Sequence, residues 1–490
     1  MKRLIVSALA ALAIVASASA ASLVKISGKV TADGKPLAGV PVTDGTQFVI
    51  TDKSGKYTMD SADGTKYVYI TLPDGYEVPV KDGVPVLYAD VTPDKKGRFT
   101  HDFDLKKSDR DMTKHIIFVQ ADPQVYFDPN LDEVERASVE MKNLLANDYP
   151  GQEAVGLVLG DIVGQFKQGD KYFPWMIKNI DETGFPTFYV CGNHDIEMDV
   201  PTNEQARKAF NHYFGPTYYS FNRGKIHYVV LDNVYWMGRY YAGYYTQQQL
   251  DWLKQDLALV PEGSTVIISQ HIPCYSREAR RQEWGKESYH KVVSNRQELF
   301  SMLKPYNAHI FSGHEHYAEN YVLGDKLYEH CHAPLSDLFW CTNWAMDGTP
   351  NGYYVYEVDG DNLNWYYKVL GRDKNYQFEL YPRGRSRQHP EAVVANIWNV
   401  DKTWKIEWFE DGNLKGEMIQ FTGEDPNLWD DVVANGKNYA FPYVGCDKTE
   451  HLFYAVPENE NSVITVKATD HNGNVYTQTL DQKEYNKNEQ

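Results

Sequence analysis

Cysteine is scarce in this chain of 490 residues, which contains only five. They are Cys191, Cys274, Cys331, Cys341 and Cys446. An odd, widely spaced set does not form the disulfide framework that stabilises small exported domains. We interpret Cys191 and Cys274 as small buried residues that pack at strand ends. The length of the chain exceeds what one hydrophobic core supports and predicts two to four domains.

Positive charge is also under-represented, with 49 lysines and arginines against 67 aspartates and glutamates and a net charge of −18. Such a surface argues against general binding to a nucleic acid duplex or to anionic lipid. An anionic substrate would therefore need a local positive centre, and bound divalent cations are one way to supply it.

Long apolar runs are missing except near the N-terminus, where Leu4–Val15 follows Lys2 and Arg3. The run is short for a bilayer, and Ala18-Ser19-Ala20 after it has the small residues of a cleavage site. We predict that residues 1–21 are a signal peptide. The mature protein is then exported, to the periplasm or outside the cell, and has no transmembrane segment.

Short alternating segments separated by turn dipeptides occupy both ends of the chain. In residues 22–107, Asp33-Gly34 and Asp44-Gly45 separate strand-like runs, which predicts a small β-sandwich with no cluster of reactive groups. Residues 351–490 show hairpin signals such as Asp359-Gly360 and are predicted to form a second β-rich domain. We interpret the tryptophans and tyrosines of this second domain as core residues rather than as a sugar-binding surface.

Residues 111–345 alternate compact apolar strands with helical patterns. The predicted strands are His115–Ala121, Ala154–Leu159, Thr187–Val190, Ile226–Leu231, Thr265–Ser269 and Ala308–Phe311. This alternation predicts a largely parallel or mixed sheet that is covered by helices and binds ligands at its strand ends.

Candidate metal ligands follow five of these strands. In chain order they are Asp122, Gln124, Asp161, Asn193, His271, His314 and His316. Carboxylate, imidazole and amide groups without thiolates suit Mn, Fe, Zn or Mg better than a structural zinc. Seven ligands exceed the need of one ion, whereas two ions with a shared carboxylate fit, and paired metals are typical of displacement at phosphorus. Glycine precedes Asp161, Asn193 and His314, which lets backbone and ligand approach closely.

In this order, the motifs resemble those of the calcineurin-like metallophosphoesterase superfamily. The flanking modules resemble those of a secreted bacterial subgroup, and Gly28–Val30, Pro36–Val42 and Thr51–Tyr57 resemble a transthyretin-like, carboxypeptidase-regulatory module. The resemblance implies an α/β fold: central mixed β-sheets flanked by helices, an N-terminal transthyretin-like β-sandwich and a C-terminal β-rich domain. It further implies two ligand sets that share Asp161. They are Asp122, Gln124, Asp161 and His316 for one divalent ion, and Asp161, Asn193, His271 and His314 for the other.

The activity implied by the resemblance is hydrolysis of a phosphate mono- or diester by a hydroxide that bridges the two ions. His194 resembles the imidazole that contacts the phosphate and protonates the leaving oxygen, and we expect Asp195 to orient it. The family usually has histidine at the position of Gln124. Because an amide oxygen is a weaker ligand than imidazole, we expect lower metal affinity there rather than loss of activity.

Substrate contacts are predicted from position alone. Arg277, Arg280 and Arg281 follow His271 and form either a loop that grips a substrate anion or a solvated insertion paired with its own glutamates. Trp236 and Tyr240 form a candidate aromatic wall. The predicted substrate is a phosphorylated small molecule such as a nucleotide, a lipid head group or a glycan. The alternative function is a glycan- or surface-binding protein on a phosphoesterase scaffold that has lost its activity.

Histidines outside the motifs are interpreted as structural. They are His212, His227, His290, His309, His330 and His332.

Overall fold

The structure is a computed structural model that describes residues 23–488 apart from 129–130, 284, 338 and 442–443. The predicted signal peptide lies outside these residues. Within the described part of the chain, every helix is too short or too polar to cross a membrane.

The N-terminal region consists of β-strands. They are β1 (Leu23–Ala32), β2 (Lys35–Pro36), β3 (Pro41–Thr43), β4 (Phe48–Ile50), β5 (Lys56–Ala62), β6 (Tyr67–Ile70), β7 (Val80–Lys81), β8 (Val84–Pro85), β9 (Tyr88–Asp90), β10 (Arg98–Thr100) and β11 (Phe103–Leu105). One sheet is centred on β1, which pairs with β2, β5, β10 and β11, and a second has the order β4-β3-β6-β9. Burial alternates along β1, so that Val24, Ile26 and Val30 face the core as a half-buried strand requires. These sheets form the predicted β-sandwich.

The central region alternates strands and helices. Its strands are β12 (Lys114–Gln120), β13 (Glu153–Val158), β14 (Thr187–Tyr189), β15 (Tyr219–Arg223), β16 (Ile226–Val230), β17 (Val234–Trp236), β18 (Tyr241–Gly243), β19 (Thr265–Ser269), β20 (Asn307–Ser312), β21 (Glu319–Val322), β22 (Leu327–Cys331), β23 (Gly352–Asp359) and β24 (Asn362–Val369). Its helices are α1 (Leu131–Asp148), α2 (Gly169–Asp181), α3 (Asn203–Ala206), α4 (Lys208–Phe214), α5 (Gln247–Leu257), α6 (Glu278–Arg281) and α7 (Arg296–Leu303), with a 3-10 turn at Phe166–Gln168.

Two mixed sheets face each other in this region. Their strand orders are β14-β13-β12-β23-β24 and β15-β16-β19-β20-β22-β21. Ile117 of β12 and Ile267 of β19 lie in one buried cluster between the sheets, whereas Phe118 and Ile268, the next residue on each strand, lie in a second cluster that includes α1 and α5. Strands buried on both faces explain the continuous apolar runs in the sequence. The predicted α/β class is confirmed.

The C-terminal region begins after β24. Its elements are β25 (Phe378–Tyr381), β26 (Val393–Ile397), β27 (Lys405–Glu410), β28 (Asn413–Glu417), β29 (Ile419–Gly423), α8 (Pro426–Asn435), a 3-10 turn (Gly436–Asn438), β30 (Thr449–Ala455), β31 (Val463–Thr469), β32 (Val475–Asp481) and α9 (Gln482–Asn488). Two four-stranded sheets, β25-β26-β30-β29 and β28-β27-β31-β32, enclose a core that includes Phe378, Ile397 and Ile464.

The boundary predicted at residue 351 requires correction. The hairpin β23–β24 belongs to the first central sheet, because β23 pairs antiparallel with β12 from Lys114↔Asp359 to Val119↔Tyr354. The separate C-terminal sheets start at β25. Local periodicity identifies a hairpin, but it does not reveal which distant strand the hairpin will pair with.

Two buried histidines link the central sheets. His115 on β12 hydrogen-bonds to the carbonyl of Met112 and to the hydroxyl of Tyr228 on β16. His332, which follows β22, hydrogen-bonds to the carbonyl of Ser312 and to the hydroxyl of Tyr356. Burial lowers the pKa of each imidazole from 6.5 to about 3. Both histidines are therefore held neutral in the folded chain.

These two histidines predict loss of stability in acid. Below pH 6.5 each of these imidazoles is protonated in the unfolded chain. In the folded chain it stays neutral until about pH 3. The free energy of unfolding should fall through this window by about 1.4 kcal/mol per pH unit and per histidine. His115→Gln should reduce the slope measured by urea unfolding between about pH 7 and pH 5. The same change at exposed His212 should not, and an unaltered slope in H115Q would contradict the assignment.

Candidate metal centre

The seven predicted ligands come from the carboxyl ends of strands in both central sheets. Strands β12, β13 and β14 are parallel neighbours, and so are β19 and β20. Parallel strands end at the same edge of a sheet, which is where ligands bind in open α/β folds. The loops that follow β12 and β13 therefore meet those that follow β14, β19 and β20.

Four of the side chains form a compact buried group. Asp161, His271 and His314 each offer a ligand atom, and these atoms lie within 4.8 Å of one another. The Nε2 atom of His271 lies 3.3 Å from Oδ1 of Asp161, 3.2 Å from Nδ1 of His314 and 3.0 Å from Oδ1 of Asn193. The structure thus brings together all four residues of the second predicted ligand set.

The other predicted set adjoins this group. Nε2 of His316 lies 3.5 Å from Oδ1 of Asp122, and Asp122 accepts the backbone N–H of His314 at 2.8 Å. The amide nitrogen of Gln124 lies 3.3 Å from Oδ2 of Asp161, whereas its amide oxygen faces the hydroxyl of Ser336 at 3.5 Å. Gln124 is therefore part of the cluster, but its oxygen would reach a metal only after rotation of the amide.

Backbone carbonyls fix the orientation of two imidazoles. His271 donates its Nδ1–H to the carbonyl of Leu159 at 2.8 Å, and His314 donates its Nε2–H to the carbonyl of His290 at 2.9 Å. The remaining nitrogen of His271 faces Asp161 at 3.3 Å, and that of His314 lies 3.2 Å from Nε2 of His271. This second hydrogen bond is how proteins usually set the tautomer of a metal-ligating histidine.

The charge distribution of the cluster suits a cation. Asp122 and Asp161 are almost fully buried, and the ion-pair partners that the described residues provide for them are histidines alone. Burial opposes ionisation of Asp161, but His271 and His194 outweigh it and hold its pKa below the usual range. Burial likewise opposes protonation of His271, yet Asp161 and Asp122 raise its pKa to about 9. Nδ1 of buried His316 has no hydrogen-bond partner in the described structure. Oxygen and nitrogen donors around buried carboxylates fit divalent ions.

Backbone geometry at the cluster is unusual. A Cβ atom on Gly192 would lie 2.2 Å from Oδ1 of Asp161, and one on Gly313 would lie 2.4 Å from Oδ2 of Asp122. The left-handed φ region, which non-glycine residues seldom adopt, contains five of the predicted ligands: Asp122, Gln124, Asp161, His314 and His316. Such strain concentrates at functional sites because the surrounding structure has to enforce it.

His194 lies at the entrance to the cluster, with its side chain 37% exposed. Its Nδ1 hydrogen-bonds to the carbonyl of Gly164 at 2.6 Å, and its Nε2 lies 3.9 Å from Oδ2 of Asp161.

The predicted role of Asp195 requires correction. Its carboxylate accepts the backbone N–H groups of Gly192 and Val163. Gly164 therefore orients the imidazole, while Asp195 stabilises the turn that carries it.

The predicted arginine clamp also requires correction. Arg281 is buried, forms an ion pair with Glu319 and lies over the ring of Tyr317 at 4.5 Å. Arg280 and Arg277 both pair with Glu450 of the C-terminal region. Each cation is already engaged by a carboxylate, which argues against the clamp. The alternative of a solvated insertion with its own glutamates is not met either, because Arg281 is buried and Glu319 and Glu450 lie outside the loop.

The aromatic wall predicted from Trp236 and Tyr240 is absent at the cluster. Trp236 is buried and donates its indole N–H to the carbonyl of Val200, and Tyr240 is exposed at the hairpin tip. Tyr241 is the ring of this segment that reaches the site, with its centroid 5.9 Å from that of His314. No local pattern singled out Tyr241, because β18 is three residues long and its burial does not alternate. The contact of His290 uses its backbone carbonyl, which also carries no sequence signal.

This fold and ligand cluster define the class of metallophosphoesterases. A family model described as calcineurin-like phosphoesterase matches residues 117–318. Models of the N-terminal and C-terminal parts of calcineurin-like phosphoesterases match residues 24–108 and 329–476. The chain belongs to the calcineurin-like phosphoesterase family.

Individual relatives are more distant. Purple acid phosphatase 15 from Arabidopsis thaliana is 32% identical over 142 residues, which are 27% of this chain and 24% of that protein. Purple acid phosphatase 13 of the same plant is 29% identical over 158 residues, or 30% and 26% of the two chains. The chain thus spans about a quarter of the length of these curated relatives. A solved dimetal phosphatase from Danio rerio is 13% identical with a TM-score of 0.38, covering 53% of this chain and 97% of its own.

The close approach of Gly192 to Asp161 predicts a sensitive position. Gly192→Ala should displace Asp161, because the new methyl group would overlap both its backbone nitrogen and its Oδ1 atom. Metal content after chelation and reloading should fall from about two ions per chain to fewer than one. Gly324→Ala is the matched control, since no atom lies within 4 Å of its added Cβ. Full metal content in G192A would contradict this prediction.

Proposed function

We propose that this chain hydrolyses phosphate esters with two divalent metal ions. The observation that carries the proposal is the buried convergence of Asp161, His271 and His314, in which backbone carbonyls fix the orientation of both imidazoles. Membership of the calcineurin-like phosphoesterase family and the partial matches to purple acid phosphatases support it.

The two ions would share Asp161. One ion would be held by Asp161, Asn193, His271 and His314, whose donor atoms already face one another. The other would be held by Asp122, His316 and Asp161, together with Gln124 once its amide has rotated. The second position has the weaker donor set, because an amide oxygen replaces an imidazole nitrogen. Mn, Fe, Zn and Mg all suit this chemistry.

When bound, the two ions supply an activated water and neutralise negative charge on the phosphoryl oxygens. His194 contributes the mobile proton. The carbonyl of Gly164 holds the Nδ1–H, so Nε2 faces the cleft beside Asp161, where it can hydrogen-bond to the phosphate. We infer that His194 acts as a general acid from its doubly protonated form: Nδ1–H stays on the Gly164 carbonyl, Nε2 gives its proton to the leaving alkoxide, and the ring is left neutral.

The substrate class that we propose is a phosphorylated small molecule, either a monoester or a diester. Because the net charge of the chain is negative, its surface in general repels a phosphate, and the metal centre is where we expect strong attraction. The N-terminal sequence supports export, so the substrate would be met outside the cytoplasm.

Phosphate release tests the proposal. With added manganese, the protein should release phosphate from a chromogenic monoester or a chromogenic diester. His194→Ala should lower kcat by about 10²–10⁴-fold with unchanged metal content, because a general acid is lost and no ligand is removed. His212→Ala, at an exposed histidine away from the cluster, should retain wild-type activity. Metal-loaded protein that hydrolyses neither ester would favour the alternative of a binding protein.

Gln124 provides a second test. Gln124→His introduces the ligand that the family pattern has at this position and should tighten the weaker metal site by about tenfold. Competition with a chelator would measure this affinity. Gln255→His, on an exposed face of α5, is the control for a histidine that binds metal adventitiously. Identical affinities in Q124H and wild type would place residue 124 outside the coordination of the metal.

A further inference from the structure

Residues 288–293 lie directly against the metal centre, and we name them the His290 segment. The segment is joined to β18, because the backbone N–H of Gly243 donates to the carbonyl of Tyr289 at 2.8 Å. The carbonyl of His290 accepts the Nε2–H of His314, one of the predicted ligands, at 2.9 Å. The position of this segment therefore determines how that imidazole is oriented.

A buried ion pair links the same segment to the ligand loop, residues 313–316. Nζ of Lys291 lies 3.6 Å from Oε1 of Glu315 and 3.4 Å from Oε2 of Glu278. Both carboxylates are buried, and among the described residues Lys291 is the only cation within 4 Å of either. Ser276 donates its hydroxyl to the other oxygen of Glu315 at 2.5 Å. The side chain of Glu315 is thus held on both sides.

Lys291 is charged in these surroundings. Burial opposes the charged form, but Glu315 and Glu278 raise the pKa of the ammonium above its usual value. The two carboxylate oxygens that face it have no hydrogen-bond partner in the part of the chain that the structure describes. Without the ammonium, these buried carboxylates would lack a compensating charge, which is costly. Lys291 therefore holds Glu315 against the His290 segment.

We propose that Lys291 is a positioning residue for the metal centre. Its ion pair with Glu315 keeps the His290 carbonyl against the imidazole of His314. The Nδ1 atom of His314 is then left facing the ligand cluster, 3.2 Å from Nε2 of His271. Hydrogen bonds of this kind set the tautomer and ring orientation of metal-ligating histidines, and their loss typically costs about 10–100-fold in metal affinity. This inference rests on the metal centre proposed above and names a residue outside its ligand set that controls its affinity.

A charge-balanced double change tests the inference. A lysine opposes a nearby cation by charge alone, so the net charge has to be kept constant. Lys291→Met together with Glu315→Gln removes one charge of each sign. Replacement of a buried ion pair by neutral side chains is often neutral for stability, so the variant should fold. Its affinity for manganese, measured by competition with a chelator, should be about tenfold below that of the wild type.

The matched control is Lys368→Met together with Glu140→Gln. This double change breaks a largely buried Lys–Glu pair between β24 and α1, and it also leaves the net charge as it was. The affinity of K368M/E140Q for manganese should equal that of the wild type.

Nuclear magnetic resonance of histidine-labelled protein gives a second readout that needs neither metal nor turnover. In the metal-free wild type, the Nε2–H proton of His314 should be protected from exchange with solvent, because the His290 carbonyl holds it. The signal would be assigned by its absence in His314→Gln. K291M/E315Q should lose this protection, whereas K368M/E140Q should keep it.

The outcomes keep this inference apart from the proposed function. Wild-type affinity or wild-type proton exchange in K291M/E315Q, with phosphate esters still hydrolysed by the wild type, would overturn the positioning role alone. An equal loss of affinity in K368M/E140Q would also overturn it, because the effect would then follow from lost stability. A wild-type protein that binds no manganese would overturn both proposals.

Discussion

The burial of Asp161 among imidazoles is the interaction on which the rest of the site depends. A buried carboxylate is costly unless a positive charge or several hydrogen bonds compensate it. Here the backbone N–H of His194, the amide of Gln124 and the ring of His271 all approach this one side chain. The glycine at 192 and the left-handed backbone at 161 make that approach possible. The buried carboxylate and the left-handed backbone cost some local stability. They also hold the donor atoms in positions that suit cations.

The C-terminal region contacts the loop that carries the predicted ligands His314 and His316. Asp347 accepts the backbone N–H of Ala318 at 2.7 Å, two residues after His316, and hydrogen-bonds to His451 of β30 at 2.9 Å. Tyr317 donates to Asp447. These buried polar contacts join the loop that carries two predicted ligands to the C-terminal module. Because a half-satisfied buried network is costly, the module and the loop are expected to hold one arrangement together.

Much of the site could be predicted because its residues carry their own signals. Asp161 and His314 each follow an apolar strand and a glycine, and parallel strands bring such ends together. The roles of Asp195 and Arg281 could not be predicted. Neighbouring side chains point in different directions, and the sequence does not indicate which groups they contact. The hairpin β23–β24 was assigned to the C-terminal domain for the same reason, since its partner β12 lies more than 200 residues away. Local sequence patterns determine the helices and strands, whereas the pairing of distant strands depends on the whole chain.

Gln124, where the chain departs from the family pattern, also holds a neighbouring loop in place. Its carbonyl accepts the Trp340 indole N–H at 3.1 Å, and its amide lies between Asp161 and Ser336. A histidine at this position would offer a lone pair to a metal, but its ring could not reproduce both side-chain contacts of the amide. Gln124 therefore connects Asp161 to the loop that carries Ser336 and Trp340. A change at residue 124 would alter both the surroundings of Asp161 and the contacts that hold this loop.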